Sequence, residues 1–210
     1  MTTMRLIDVN VGLPAPLGKR RGETVRSGIR KRPVESPEVV VGATNIAGDG
    51  QADLVNHGGR DKAVYCYSID HYPFWKESIG YEGDGEHSAF GQNLTVAGID
   101  ETGMHIGDRL RWGDVLLEVS QPRWPCFKLD MHSGVPLLMK RVITSGHSGW
   151  YLRVIEPGTA PASGEITIIE RDPLGITVRD AFDARRDPHM EPARYHEIMS
   201  HPKLAAAWSR

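Results

Sequence analysis

The residues best equipped for chemistry lie in one octapeptide, Gln121-Pro-Arg-Trp-Pro-Cys-Phe-Lys128. Pro122 and Pro125 restrict the backbone around Cys126, which predicts a rigid, non-helical bend just after a strand. Arg123 and Lys128 place positive charge within a few residues of the thiol. A free thiol has a pKa of about 8.5, and nearby cations favour the thiolate, which is both a soft metal ligand and a nucleophile. Cys66 sits in the apolar run Ala63-Val-Tyr-Cys-Tyr67 and has neither prolines nor cations beside it, so it reads as core packing. A second candidate is Asn56-His57-Gly-Gly-Arg60. Gly58 and Gly59 let a backbone approach a ligand closely, and His57 can donate a hydrogen bond or move a proton near neutral pH. The same residues also suit an ordinary tight turn. Phe90-Gly-Gln-Asn93 offers a glycine and the Asn93 amide at the entrance to a strand. If the fold joins Cys126 to His57, a nucleophile–base pair becomes available.

Charge patterning adds a third feature. Residues 19–32 carry seven cations (Lys19, Arg20, Arg21, Arg26, Arg30, Lys31 and Arg32) against the single acid Glu23. Such a run is either a solvated loop or a set of cations converging on an anion. The whole chain of 210 residues has a net charge of −2, which argues against a nucleic-acid polymer as partner. Two cysteines cannot staple a secreted scaffold, and they suit a reducing cytoplasm. No apolar run approaches the roughly 20 residues of a membrane span, and the N-terminus lacks the layout of a signal peptide. Phosphate-loop, dinucleotide-binding and His-Glu-x-x-His motifs are missing.

The elements that must hold these residues are mostly short strands, as 23 Gly and 14 Pro suggest. Strands are expected at Arg5–Val11, Val39–Val41, Ala63–Ser68, Asn93–Val96, Met104–Trp112, Val115–Gln121, Gly149–Ile155 and Glu165–Arg171, with a hairpin turn at Gly113-Asp114. Helices are expected at Asp70–Ser78 and Val135–Ser145, and residues 12–38 and 47–61 read as loops. Beyond Asp172-Pro173 the character changes. Thr177 with Asp180 resembles a capping box, and Pro188, Pro192 and Pro202 divide the tail into three small helices, Thr177–Ala184, Ala193–Ser200 and Lys203–Ser209. The fold class is thus β-rich α+β: a barrel or sandwich over 1–172 with a small helical domain over 173–210.

Taken in order, Ser27-Gly-Ile-Arg-Lys-Arg-Pro-Val34, Gly48-Asp-Gly-Gln-Ala-Asp53, His57-Gly-Gly-Arg-Asp-Lys-Ala-Val-Tyr65, Phe90-Gly-Gln-Asn-Leu-Thr95, Ile106-Gly-Asp108, Val119-Ser-Gln-Pro-Arg-Trp-Pro-Cys126 and Gly149-Trp-Tyr-Leu-Arg153 resemble the MOSC domain, named after the C-terminal part of molybdenum-cofactor sulfurases, in its bacterial YiiM-type subfamily. The resemblance implies a mixed-strand β-barrel, followed by a three-helix appendage, that binds a molybdopterin-type molybdenum cofactor. It implies Cys126 as the molybdenum ligand, Ser27, Lys31, Arg32 and Arg123 as candidates for the pterin phosphate, and His57, Gly58 and Asn93 along the cleft. Cys126 and His57 are the implied catalytic residues. The implied activity is reduction of N-hydroxylated compounds such as hydroxylaminopurine bases and amidoximes. The chain carries no flavin, haem or iron–sulfur motif, so electrons are expected from a separate reductase; pyridoxal phosphate has no place in this scheme. A cysteine-persulfide sulfur carrier and a molybdopterin-binding or delivery module are the alternatives.

Overall fold

A computed structural model describes residues 2–54 and 57–208. Asn56 of the histidine motif and Ser209 of the last expected helix lie outside the described residues. The strands are β1 (Thr2–Val11), β2 (Ala15–Arg20), β3 (Glu23–Ser27), β4 (Arg32–Pro33), β5 (Glu38–Val41), β6 (Val64–Ser68), β7 (Leu94–Ala97), β8 (Arg109–Trp112), β9 (Val115–Pro122), β10 (Trp150–Glu156), β11 (Gly158–Pro161) and β12 (Gly164–Glu170). The helices are α1 (Tyr72–Ile79), α2 (Phe127–Ser133), α3 (Leu138–Ser145), α4 (Val178–Arg186) and α5 (Pro192–Met199).

Seven strands close into a mixed barrel in the order β12-β8-β9-β10-β6-β7-β1, with β1 pairing back onto β12. Every ladder is antiparallel except β6–β7. A parallel pair needs a crossover, and residues 69–93 supply it through α1 and the glycine-rich segment after it. The expected hairpin at Gly113-Asp114 joins β8 to β9, with Trp112 opposite Val115 and Gly113 at φ 56°.

Strand alternation divides the core. In β6, Val64 and Cys66 face the barrel interior with Leu94, Leu117, Trp150 and Leu152. Tyr65 and Tyr67 point the other way, into a layer with Trp75, Phe90, Leu129 and Leu138 beneath α1, α2 and α3. Burial pushes the Cys66 thiol well above its ordinary pKa, which makes it an inert apolar group.

Three local expectations need correction. Residues 104–108 precede β8 as a turn, because the buried Asp108 carboxylate accepts the backbone N–H groups of His105 and Asp172 instead of leaving them to a ladder. The basic stretch is not a loop throughout: β2 and β3 pair as a hairpin. The connection between the strands expected at Gly149–Ile155 and Glu165–Arg171 is not a plain loop either, because it contains β11, which pairs with β5. In β2, β3 and β11 the ladder decides the conformation, not a hydrophobic alternation visible in the strand.

The tail contains α4 and α5 where helices are expected, while residues 203–208 form turns. So short a segment after Pro202 gains more from anchoring than from a helical nucleus. Ala205 N–H donates to the Ser120 carbonyl (2.9 Å), and Trp208 Nε1–H donates to the Ala181 carbonyl (3.1 Å). Ile176, Phe182, Ile198 and Trp208 join the same apolar cluster as the barrel interior. The capping box is present: Thr177 Oγ1 accepts the Asp180 N–H (2.9 Å), and Asp180 Oδ2 accepts the Thr177 N–H (3.0 Å). Thr177→Ala is expected to cost about 1 kcal/mol, read as a lower urea midpoint with an unchanged slope. Among the described residues, no helix is long and apolar enough to cross a membrane.

Candidate active site

A solvent-open cleft lies against the outer face of the barrel wall, where five segments converge. Ser27 comes from the end of β3, Gly28, Ile29 and Lys31 from the residues after it, Asp49 to Ala52 with His57 from the long polar segment, and Lys62 from the short turn that follows. Gly91 and Asn93 come from the entrance to β7, Arg123, Cys126 and Lys128 from the bend after β9, and Tyr151 from β10. Two glycines permit this convergence. A Cβ at Gly28 would lie 2.2 Å from the Gly50 carbonyl oxygen, and one at Gly91, already at φ 74°, would lie 2.5 Å from Ile29 Cγ1.

Cys126 occupies the position just before α2, with φ −131° and ψ 170°, an extended conformation. Burial by itself would raise its pKa. The hydrogen bond from His57, the charge of Arg123 and the Lys128 backbone N–H outweigh burial, and the thiol titrates below its ordinary value. His57 is oriented in turn by Asp53, whose Oδ2 lies 3.1 Å from Nδ1. Cys126, His57 and Asp53 thus form a chain from thiol to imidazole to carboxylate. Arg123 is buried with its guanidinium 4.7 Å from the centre of the Tyr65 ring, and Nη1 reaches the Tyr65 hydroxyl at 3.4 Å. Tyr65 donates its own proton to the Ser148 carbonyl (2.8 Å), which leaves the oxygen free to accept.

This environment makes a titration prediction. Alkylation of Cys126 by iodoacetamide should be half-maximal below the free-thiol value of about 8.5, because the thiolate is the reactive form and its pKa is lowered. His57→Ala should move that midpoint upward. Cys66 should stay unmodified until the protein unfolds. A midpoint at or above about 8.5 in the unmutated protein would overturn the assignment.

The sequence-predicted residues are not all brought together. Ser27, Lys31, His57, Asn93, Arg123 and Cys126 line the cleft. Arg32 does not: it is exposed and paired with Glu86, and its Nε reaches His87 at 3.3 Å. The reason is strand alternation, since β4 turns Arg32 away from neighbouring Lys31. Gly58 packs against Leu54 instead of the cleft. Lys31 is buried against Asp49, and burial pulls its pKa down despite that partner. Asp49 also accepts the Gly12 N–H (3.0 Å) and an Asn93 amide proton (2.9 Å). Asn93 Oδ1 accepts the Tyr65 N–H (3.0 Å). Lys31 and Asn93 therefore build the wall with their polar groups already engaged. Asp49, Lys62 and Tyr151 stand inside the quoted motifs but were not picked out as site residues, and Lys128 was noted only as a cation near the thiol. Lys62 and Lys128 replace most of the expected basic run as the cleft's cations.

The MOSC domain family pattern matches residues 53–172. YflK of Bacillus subtilis is 38% identical over 203 residues, spanning 97% of this chain and 90% of its own length. YiiM of Escherichia coli is 32% identical over 174 residues, 82% and 77% of the two chains. A Gibberella moniliformis protein named Reductase is 39% identical over 152 residues, which are 71% of this chain but 27% of that longer protein. The crystal structure of YiiM from Geobacillus stearothermophilus superposes with a TM-score of 0.79 at 31% identity, covering 98% of this chain and 95% of that one. The barrel, the cysteine bend and these likenesses agree: the chain belongs to the MOSC domain family and is of the YiiM type.

Proposed function

We propose that this protein is a molybdenum-cofactor-dependent oxidoreductase that reduces N-hydroxylated compounds, with hydroxylaminopurine-type bases and amidoximes as substrate classes and a separate reductase as electron donor. One observation carries the reading: Cys126 offers a low-pKa thiol at the edge of a cleft that also presents Arg123, Lys62 and Lys128. That donor set fits a cofactor with a thiophilic metal at one end and a phosphate at the other. MOSC domains are associated with this cofactor, and a similar protein bears the name Reductase.

Cys126 would hold the metal, while Ser27 and the cleft cations would hold the phosphate. When bound, the cofactor supplies two-electron reduction of an N–O bond. His57 would keep a proton beside the thiolate, held in orientation by Asp53, and release it toward the departing oxygen. Arg123 would offset the negative charge of thiolate and phosphate from a buried position that solvent screens weakly.

The test is metal and sulfur analysis of freshly purified protein from a molybdenum-replete host, followed by turnover of a hydroxylaminopurine base with an artificial donor. Near-stoichiometric molybdenum with N–O reduction supports the reading. A cyanide-labile persulfide on Cys126 without molybdenum would replace it with a sulfur carrier. Bound cofactor that turns over no N-hydroxy compound would replace it with a delivery module.

A further inference from the structure

Gly149 stands between two clusters. Its carbonyl accepts the Arg123 N–H (3.0 Å) on the cleft side, and its own N–H donates to Glu101 Oε1 (2.5 Å) on the other. Around Glu101 gather His71, at the end of the 3₁₀ turn Ile69–His71, and His147, in the connection from α3 to β10. Glu101 Oε2 lies 2.6 Å from His71 Nε2, and the two imidazole rings are 3.9 Å apart at 32°. One donor atom from each of the three residues lies within 4.8 Å of the others.

We propose that His71, Glu101 and His147 form a binding site for one divalent transition-metal ion of the Zn²⁺ type, separate from the Cys126 cleft. Two imidazole nitrogens and one carboxylate oxygen are a recurrent ligand set for such ions, and three protein ligands leave a position for water. Glu101 is 2% exposed, and among the described residues His71 is its ion-pair partner, with no Lys or Arg beside it. A carboxylate buried so deeply calls for a cation. Its second oxygen is held by the Gly149 N–H, the kind of outer contact that aims a ligating carboxylate.

His147 completes the set from the solvent side. It is half-buried, edge-on to Phe74 with ring centres 4.8 Å apart, so an ion can reach it. A bound ion would join three connecting segments at one point. Through Gly149 it would also fix the backbone of Arg123. The site does not depend on the molybdenum reading.

The experiment is a Co²⁺ titration of chelator-treated, full-length protein in a Cys126→Ser background, which removes the cleft thiol as a competing ligand. The expected result is one ion per chain, visible ligand-field absorption and a melting temperature that rises with Co²⁺. His147→Ala, at a half-exposed position, should bind at least about tenfold more weakly and lose the thermal response. Glu101→Gln, which can still accept the Gly149 N–H, should do the same. Retention of stoichiometry and affinity in His147→Ala would overturn the proposal, as would the absence of bound Co²⁺ in the parent.

Discussion

Cys126→Ala is expected to yield a folded barrel without bound molybdenum and with N-hydroxy reduction at background. The side chain is at the cleft edge and only partly buried, so truncating it leaves no core cavity. Removing a partner that merely orients a metal ligand typically costs about 10–100-fold, and removing the ligand itself must exceed that. The graded controls are His57→Ala and Arg123→Met. His57→Ala keeps the sulfur and loses its proton donor, so the loss should fall within that 10–100-fold range, in kcat more than in KM. Arg123→Met removes the buried charge that favours the thiolate; occupancy should fall most at low pH. The sign follows from the thiol. Its pKa is lowered in the folded protein, so the liganding form persists below the ordinary thiol value and is lost as pH falls through the lowered one. Full molybdenum content and activity in Cys126→Ala would remove Cys126 from the mechanism.

Much of the barrel was legible because its strands advertise themselves. Val115–Pro122 and Trp150–Glu156 alternate or run apolar, and the Gly-Asp turn fixes one register. The bend at Cys126 was legible for a different reason: proline acts locally, so two prolines predict backbone shape without tertiary knowledge. The helix that follows it, Phe127–Ser133, was missed. Seven residues with mixed polarity give almost no periodic signal, and Leu129 becomes a core residue only because the Tyr67–Trp75 layer lies beneath it.

Charge was the least legible feature. The run from Lys19 to Arg32 has the composition of an anion site, yet only Lys31 reaches the cleft, and Asp49 already engages it. Arg20 instead covers the Phe127 ring at 4.0 Å, and Arg26 donates to the Pro14 carbonyl at 2.7 Å. Local density of cations says nothing about where side chains point once β2 and β3 pair. Motif residues can likewise serve the scaffold. Arg153 binds Asp61 (2.8 Å), Glu118 (2.9 Å) and the Lys203 carbonyl (2.9 Å), tying the polar segment, β9 and the tail together. Its place in a recognisable motif carries no sign of that role.

Asp49→Ala is expected to destabilise the fold by about 3–5 kcal/mol, because it strands the Lys31 ammonium in a buried site with its partner gone. That is a large share of the ~5–15 kcal/mol that holds a typical domain together. Lys31→Met should cost less. The carboxylate it exposes to imbalance still accepts the Gly12 N–H and the Asn93 amide, whereas an ammonium has no such reserve here. The double variant decides between charge pairing and simple packing. Removing both charges leaves the two donors short of an acceptor, a cost of about 1–3 kcal/mol, so it should be more stable than Asp49→Ala alone. Urea denaturation of the four proteins measures the coupling. If the double variant is as unstable as the sum of the singles, the pair is not an electrostatic unit. Asp49 also holds Asn93, which lies in the cleft wall, so a folded Asp49→Ala protein should show a disturbed Cys126 alkylation profile. Stability and thiol reactivity would then fail together, through one carboxylate held by Lys31, Gly12 and Asn93.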